Sequence, residues 1–227
     1  MTYAFPAVRL DRSRPLRDQI YPMVRTLILT GIIRPGEIID EKAIAAQLQV
    51  SRTPVREAVK RLSDEHLVDV IAQSATRAAR IDRAEIHESF LIRRALEMES
   101  AAQAAPLMNQ DHADRLSGIL LQHARAIERR NYVEAIECDD QFHRFITGIG
   151  GLPRLWSAID IFKAQIDRCR HLMVPRAGQA EATLEQHREI IRALNSKDPE
   201  KARQAMRAHL EAAYRSTEAV LDGPGLG

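Results

Sequence analysis

Four side chains of the kinds that ligate metal ions stand at a spacing that could bring them together. Asp139 and His143 are four residues apart, so on a helix both point to the same side. His187 and His209 follow on two later segments of helical periodicity. Three imidazoles and one carboxylate from three helices could converge in the core of a bundle. Such a set suits a divalent transition metal and leaves coordination positions open for water or a ligand.

The same residues have a simpler interpretation, in which each histidine is an ordinary surface or core residue. An Asp/His pair at this spacing is common on helices and by itself indicates little. We interpret the other five histidines in this way: His66, His87, His112, His123 and His171. Residue type and spacing alone leave both interpretations of the four-residue set open.

A metal site could also serve catalysis, which needs a general base near the ion in addition to the ligands. Asp140 is the one candidate that the sequence offers, and its position on the helix turns it away from Asp139. The sequence therefore favours a binding protein over an enzyme.

A second constellation lies near the N-terminus, where basic and hydroxyl side chains open a predicted helix. Arg52 and Arg56 are four residues apart and project from one side of it. Arginine can bind guanine O6 and N7 with two hydrogen bonds. Ser51 and Thr53 could donate to a phosphate near the positive end of the helix dipole, and Lys42 could neutralise another phosphate. For each arginine taken singly, a solvated basic face is the alternative interpretation.

Periodicity and capping residues predict the elements that position these candidate DNA-binding side chains. Pro22 marks a kink or an irregular start within the first helix, and Thr53 caps the third, which begins at Pro54. The predicted N-terminal helices span residues 15–30, 41–48 and 54–66.

Two short β-prone runs follow, Leu67–Ala72 and Ala78–Ile81, with the polar segment Gln73–Arg77 between them. This pattern predicts a small hairpin, the wing of a winged helix-turn-helix. From Asp82 onward the periodicity predicts helices over residues 83–105, 110–129, 132–148, 153–173, 179–195 and 199–221. We therefore expect a mainly α protein, with a winged helix-turn-helix domain over residues 1–80 and an all-α six-helix bundle over residues 84–222.

Composition agrees with two small helical domains. The chain has 227 residues, 45% of them apolar and only 4% aromatic, which favours helix over sheet. Residues 1–80 hold 13 Lys or Arg against 9 Asp or Glu, and the remainder holds 20 against 22, so the first part would meet a polyanion. We expect a cytoplasmic protein, because no transmembrane run or signal peptide is seen and Cys138 and Cys169 suit free thiols.

The string V-S-R-T-P-V-R-E-A at Val50–Ala58, with the P-G-E turn at Pro35–Glu37, resembles the winged domain of the GntR family of bacterial regulators. The resemblance covers about residues 10–80. It implies that three residues of the third helix read DNA and that one residue of the second contacts the DNA backbone: Arg52, Thr53, Arg56 and Lys42. Family members usually carry glycine at the wing tip, where this chain has Gln73–Arg77. Arg77 could still supply a positive charge there.

The C-terminal part resembles the FCD ligand-binding domain of the FadR-type GntR subfamily. The matching strings are F-L-I-R-R-A-L-E at 90–97, D-x-x-F-H at 139–143, H-R-E-I-I-R-A-L at 187–194, D-P-E-K-A at 198–202 and A-H-L at 208–210. The resemblance implies a divalent metal, often Zn, Ni or Mn, held by Asp139, His143, His187 and His209. It also implies a small organic acid on or beside the metal. Arg93 stands where an arginine faces the cavity and could clamp a carboxylate.

These inferences combine into one functional hypothesis. We expect a homodimeric regulator that binds a pseudo-palindromic operator in double-stranded DNA. A small organic acid at a metal site, with Zn as the expected ion, would modulate that binding. The alternative hypothesis is a metal-sensing regulator, in which the metal itself is the signal.

Overall fold

The chain divides into two compact units, and the division falls between Asp82 and Arg83. The computed structural model describes, apart from the side chain of Leu172, these parts of the chain: Tyr3, Phe5 and residues 10–71, 75–176 and 178–222. Within them, no helix combines the length and the apolar character that crossing a membrane requires. The protein is mainly helical, as the sequence predicts.

The N-terminal unit is a three-helix cluster with a β-hairpin. Its elements are α1 (Leu16–Leu29), α2 (Glu41–Gln47), α3 (Arg52–Asp64), β1 (Val68–Ile71) and β2 (Ala75–Ala78). The strands are antiparallel, with Val68 opposite Ala78. Helices α1 and α3 pack together through apolar side chains at helical spacing, among them the fully buried Ile20, Val24, Val55 and Leu62.

Helix α3 starts two residues earlier than its sequence predicts. The position before the helix is held by Ser51 rather than Thr53, and Pro54 is the third helical residue. Proline is tolerated there because the amide groups of a first helical turn have no partner within the helix. Arg52 and Thr53 therefore both belong to the first turn of α3.

The second wing strand also starts earlier than predicted. Ala75 pairs with Ile71, and Arg77 bridges back to Ile38, so residues expected at the polar tip lie in β2 instead. Backbone hydrogen bonds to two neighbouring segments satisfy the amide and carbonyl groups of β2. The polar side chains of this segment give no indication of that pairing. The remaining residues of the predicted tip, 72–74, lie outside the described residues.

The C-terminal unit is a helical bundle. Its α-helices are α4 (Arg83–Ala104), α5 (Gln110–Glu128), α6 (Tyr132–Ile149), α7 (Pro153–Phe162), α8 (Ala164–Met173), α9 (Gln179–Asn195) and α10 (Pro199–Leu221). A 3₁₀ turn, Ala105–Leu107, follows α4. Asn131 and Asp198 cap α6 and α10 through their side chains, as the sequence predicts. The core that positions the site includes Leu116, Phe142, Ile146, Ile190 and Leu194.

The single helix predicted over residues 153–173 is two helices, α7 and α8, separated at Lys163. The side chain of Lys163 is 1% exposed, and its ammonium lies 2.7 Å from Asp140 and 2.5 Å from Asp167. A buried ammonium is tolerated only with such partners. The interruption therefore coincides with a buried charge cluster that periodicity cannot anticipate.

Candidate metal centre and nucleic-acid interface

Three helices bring the four predicted metal ligands together. Asp139 and His143 lie on α6, His187 on α9 and His209 on α10, and all four are buried. One potential ligand atom from each lies within 4.8 Å of the others. His143 Nε2 is 3.2 Å from His209 Nε2, and Asp139 Oδ1 is 3.4 Å from His187 Nε2. Neighbouring ligands of one zinc ion are separated by about 3.0–3.4 Å, so these spacings fit a single ion.

The outer nitrogens of two rings are held by side chains of neighbouring helices. Glu97 Oε2 on α4 lies 2.5 Å from His143 Nδ1, and Gln186 Oε1 on α9 lies 2.9 Å from His209 Nδ1. An N–H on Nδ1 of each ring would donate outward and would leave the Nε2 lone pair facing inward, which is how metal-binding histidines are oriented. Two such lone pairs 3.2 Å apart repel each other unless a proton or a cation lies between them. The donor set therefore fits a metal ion.

His187 gives a second reason for the fit. Neither of its ring nitrogens makes a hydrogen bond within the described residues, although the ring is fully buried and stacks on Phe142 at 4.1 Å. An unpartnered buried acceptor is costly, so a ligand for it would stabilise the fold. Burial lowers the pKa of His187 well below its ordinary value and that of His209 to about 3. Both rings are thus neutral, as metal binding requires.

Asp139 is bound to a buried arginine as well as facing the histidines. Its Oδ2 accepts a hydrogen bond of 2.5 Å from Arg170 Nη2. Burial raises the pKa of Asp139, but the surrounding positive charge, chiefly the Arg170 guanidinium, outweighs that effect and holds the pKa well below its ordinary value. Arg170 Nη1 also contacts Asp140 at 2.9 Å and Asp167 at 3.0 Å, and Lys163 contacts the same two carboxylates. Asp140 is thus engaged with two cations rather than positioned as a base.

A small cavity adjoins the four-residue cluster. Its volume is about 30 Å³, which is enough for one or two water molecules and too small for an organic acid. Its polar lining includes Arg93, His123, Asp139, Arg170, Thr183, His209 and Thr217. One wall is formed by the end of α8 and the start of α9, through Met173 and Gln179 among others. An acid ligand would require this wall or its side chains to move.

The two adjacent arginines of α4 lie in different surroundings. Arg93 is buried, lines the cavity and is hydrogen-bonded through Nε to Glu97. Arg94 is one-third exposed and pairs with Glu211 at 3.4 Å. Of these two arginines, only Arg93 is therefore placed to meet a ligand in the cavity.

In the N-terminal unit, the residues predicted to bind DNA cluster around the start of α3. Lys42, Ser51, Arg52, Thr53 and Arg56 are all exposed. Three of them, Lys42, Arg52 and Arg56, line one open cleft of about 1060 Å³ that also borders the wing. Its lining also holds three carboxylates, Asp40, Glu41 and Asp64, so the cations that could contact a DNA backbone lie beside acidic groups.

Arg77 is placed differently from the other predicted DNA-binding residues. It lies in β2, is half-buried, and donates through Nη1 to the carbonyl of Gly36 at 3.1 Å. Its guanidinium thus ties the wing to the turn before α2. Lys60, which is not among the predicted DNA-binding residues, lines the same cleft as Arg56.

Several side chains around the metal cluster were not predicted from the sequence to belong to the site. Glu97 and Gln186 could have been suspected, because Glu97 is one turn beyond Arg93 and Gln186 precedes His187. His123, interpreted as an ordinary core or surface residue, is buried and lines the cavity. Arg170 lies among other charged residues of α8, and nothing in the local sequence distinguishes it.

Two known families match separate parts of the chain. Residues 16–77 match the family of bacterial regulatory proteins of the gntR type, and residues 88–212 match the FCD domain. The chain is 31% identical to the HTH-type transcriptional repressor RspR of Escherichia coli (strain K12) over 212 residues, which is 93% of each chain. It is 30% identical to an HTH-type transcriptional regulator in an unstable DNA locus of Streptomyces ambofaciens, covering 92% of this chain and 87% of that one.

Solved structures show the same fold. The Escherichia coli protein McbR/YncC aligns with a TM-score of 0.79 at 22% identity, over 91% of this chain and 99% of its own. A GntR regulator from Rhodococcus sp. RHA1 aligns with a TM-score of 0.74 at 22% identity, over 92% of this chain and 99% of its own. At this identity the likeness concerns the fold.

Proposed function

Because this chain belongs to the GntR family of transcription regulators, with an FCD domain, we propose that it regulates transcription in response to a small organic acid bound at a metal site. The observation that carries the proposal is the convergence of one carboxylate and three imidazoles beside a cavity lined by two buried arginines, Arg93 and Arg170. The families and relatives that match this chain are regulators rather than enzymes.

In this proposal, Asp139, His143, His187 and His209 hold one divalent ion, with Zn the expected species. The ion would supply a Lewis-acidic site at which a carboxylate replaces water. Arg93 contributes positive charge to the same cavity. Glu97 and Gln186 orient two of the histidine rings and fix which nitrogen faces the ion.

The N-terminal unit supplies the DNA-reading surface. Arg52 and Arg56 are proposed to read base edges in the major groove, with Ser51, Thr53 and Lys42 on phosphates. Because one winged domain has a small footprint, we propose a homodimer on a pseudo-palindromic operator. The acid changes DNA binding only if it binds one arrangement of the dimer better than another.

Metal sensing is the second candidate, and the size of the cavity favours it. About 30 Å³ accommodates water but no acid, so the ion alone would complete the site in this conformation. The two candidates differ in which solute controls DNA binding.

One experiment separates the two candidates. DNA selected from a random library with the purified protein serves as the probe, and its affinity is measured by fluorescence anisotropy. Free zinc is varied in a metal buffer without acid, and then a panel of hydroxy, sugar and amino acids is varied at fixed zinc. An affinity that follows the acid supports the proposed function, whereas one that follows zinc alone supports metal sensing. An affinity that follows neither contradicts both.

A further inference from the structure

Arg170 connects the four ligand residues to a larger buried charge network. Its Nη2 lies 2.5 Å from Asp139 Oδ2, while its Nη1 contacts Asp140 and Asp167 on the opposite side. The side chain is 7% exposed and lines the cavity. Arginine keeps its charge at every relevant pH, so in the metal-free protein Arg170 is the counter-ion of the one carboxylate in the cluster.

A divalent ion at the cluster would change this pairing. The ion would take up the charge of Asp139, and its own positive charge would lie close to the Arg170 guanidinium. Repulsion between buried like charges is strong, because little water screens it. The hydrogen bond between Arg170 and Asp139 would weaken, and the Nη2 donors would need another acceptor on the cavity side.

Arg93, the other cavity arginine, does not undergo this exchange. Its partner Glu97 contacts the outer nitrogen of His143, whose inner nitrogen faces the cluster. Metal binding at the inner nitrogen makes the outer N–H a stronger donor, so it holds Glu97 more firmly in place. Of the two arginines, only Arg170 is paired with a proposed metal ligand, Asp139.

We propose that Arg170 stands in for the metal charge in the metal-free protein and becomes the anchor of a carboxylate once the metal binds. The ligand class is a small 2-hydroxy or 2-oxo acid, with one part on the ion and a carboxylate oxygen on Arg170. This inference rests on the proposed function and names a residue that carries it. Binding of the metal then strengthens binding of the acid, and binding of the acid strengthens binding of the metal by the same factor.

The proposal predicts that replacing Arg170 by Gln strengthens zinc binding and abolishes the effect of an acid on zinc binding. Arg170→Gln removes the cation that opposes the metal, so zinc should bind about tenfold more tightly. The same change removes the carboxylate anchor. Glycolate, lactate or pyruvate should tighten zinc binding to the wild-type protein by about fivefold or more and should have no such effect on the variant.

Zinc affinity is measured on the full chain by competition with a chromophoric chelator, with and without each acid. Lys163→Gln is the matched control, because it removes one positive charge from the same network without a contact to Asp139. It should keep the acid effect. Arg170→Lys keeps the charge but loses the planar pair of donors, so its zinc affinity should stay near wild type while its acid effect falls. This variant decides the acid prediction if Arg170→Gln does not fold, as judged by circular dichroism.

Either of two results overturns the role assigned to Arg170 and leaves the proposed function intact. One is weaker zinc binding by Arg170→Gln than by wild type, and the other is an acid effect on zinc binding in the Arg170 variants equal to that in wild type. If none of the three acids changes the zinc affinity of the wild-type protein, the inference is overturned. The acid panel and DNA probe above then show whether the proposed function fails with it.

Discussion

Glu41 Oε2 lies 3.3 Å from Nε of Arg56, so the first residue of α2 is ion-paired with the second turn of α3. The same oxygen is 3.9 Å from Nη2 of Arg52, and Oε1 accepts a hydrogen bond of 3.3 Å from the hydroxyl of Thr76 on β2. One largely buried carboxylate thus contacts both proposed base-reading arginines and the wing. It restrains two long side chains that would otherwise sample many conformations before DNA binds.

Replacing Glu41 by Gln should lower sequence discrimination while raising affinity for DNA of any sequence. The arginines lose a restraint, and a negative charge near the DNA backbone is removed. Anisotropy titrations of selected and scrambled DNA at two salt concentrations measure both effects. Glu57→Gln is the control, because Glu57 is exposed on α3, the helix that carries the two arginines, and contacts Arg17 instead of either of them. Equal sequence discrimination by the Glu41 variant and the wild type would show that the ion pairs of Glu41 do not contribute to it.

Replacing Arg52 or Arg56 by Ala should weaken specific DNA binding by about 1–3 kcal/mol without affecting the fold. Lys42→Ala should instead weaken binding to all sequences and reduce the salt slope by about one. The same titrations, with circular dichroism for the fold, give these values. Wild-type affinity of both arginine variants for the selected DNA would refute the assignment of α3 as the recognition helix.

Purified protein should contain about one divalent ion per chain, since the cluster offers one set of four ligands. His187→Ala and His209→Ala should lower the metal content, measured by elemental analysis after purification in metal-containing buffer. Glu97→Gln should weaken metal affinity by about 10–100-fold, because it disturbs the orientation of His143. Arg93→Ala should retain the metal. His171→Ala, outside the cluster, is the control, and metal-free wild-type protein would contradict the proposed site.

The metal-free protein should lose stability as the pH falls from about 6.5 toward 3. His209 has a folded-state pKa of about 3, and its ordinary value is 6.5, so the unfolded chain takes up the proton first. The stability due to the neutral ring is complete above 6.5 and declines below it, by about 1.4 kcal/mol per pH unit for each such group. Burial lowers the pKa of His187 in the same direction. Thermal unfolding across this range should show a shallower slope for His209→Gln, and an unchanged slope would contradict the assignment.

The proposed dimer should be held through the C-terminal unit. A chain of residues 84–227 should therefore scatter light as a dimer, with circular dichroism confirming that it is folded. A folded monomer would show that the C-terminal unit does not carry the dimer contact.

The local sequence determined where most of the helices lie and which of their faces are buried, because both depend on residues close together in the chain. Periodicity located α4, α5, α6, α9 and α10 to within a residue or two at their ends. The string around Arg52 and the Asp139–His143 pair pointed to the two sites, since side chains four apart on a helix share one face. Errors occurred where long-range contacts override local preference, as at the start of β2 and at Lys163.

Only the tertiary structure decided which charges meet. Asp139 and Arg170 are 31 residues apart in the sequence, and Arg93 and Arg170 come from different helices, α4 and α8, yet line one cavity. The cavity of about 30 Å³, the outer partners of the histidines and the carboxylate between Arg52 and Arg56 likewise depend on how helices pack. The energies of buried ions depend on distances and desolvation in three dimensions, and a linear pattern encodes neither.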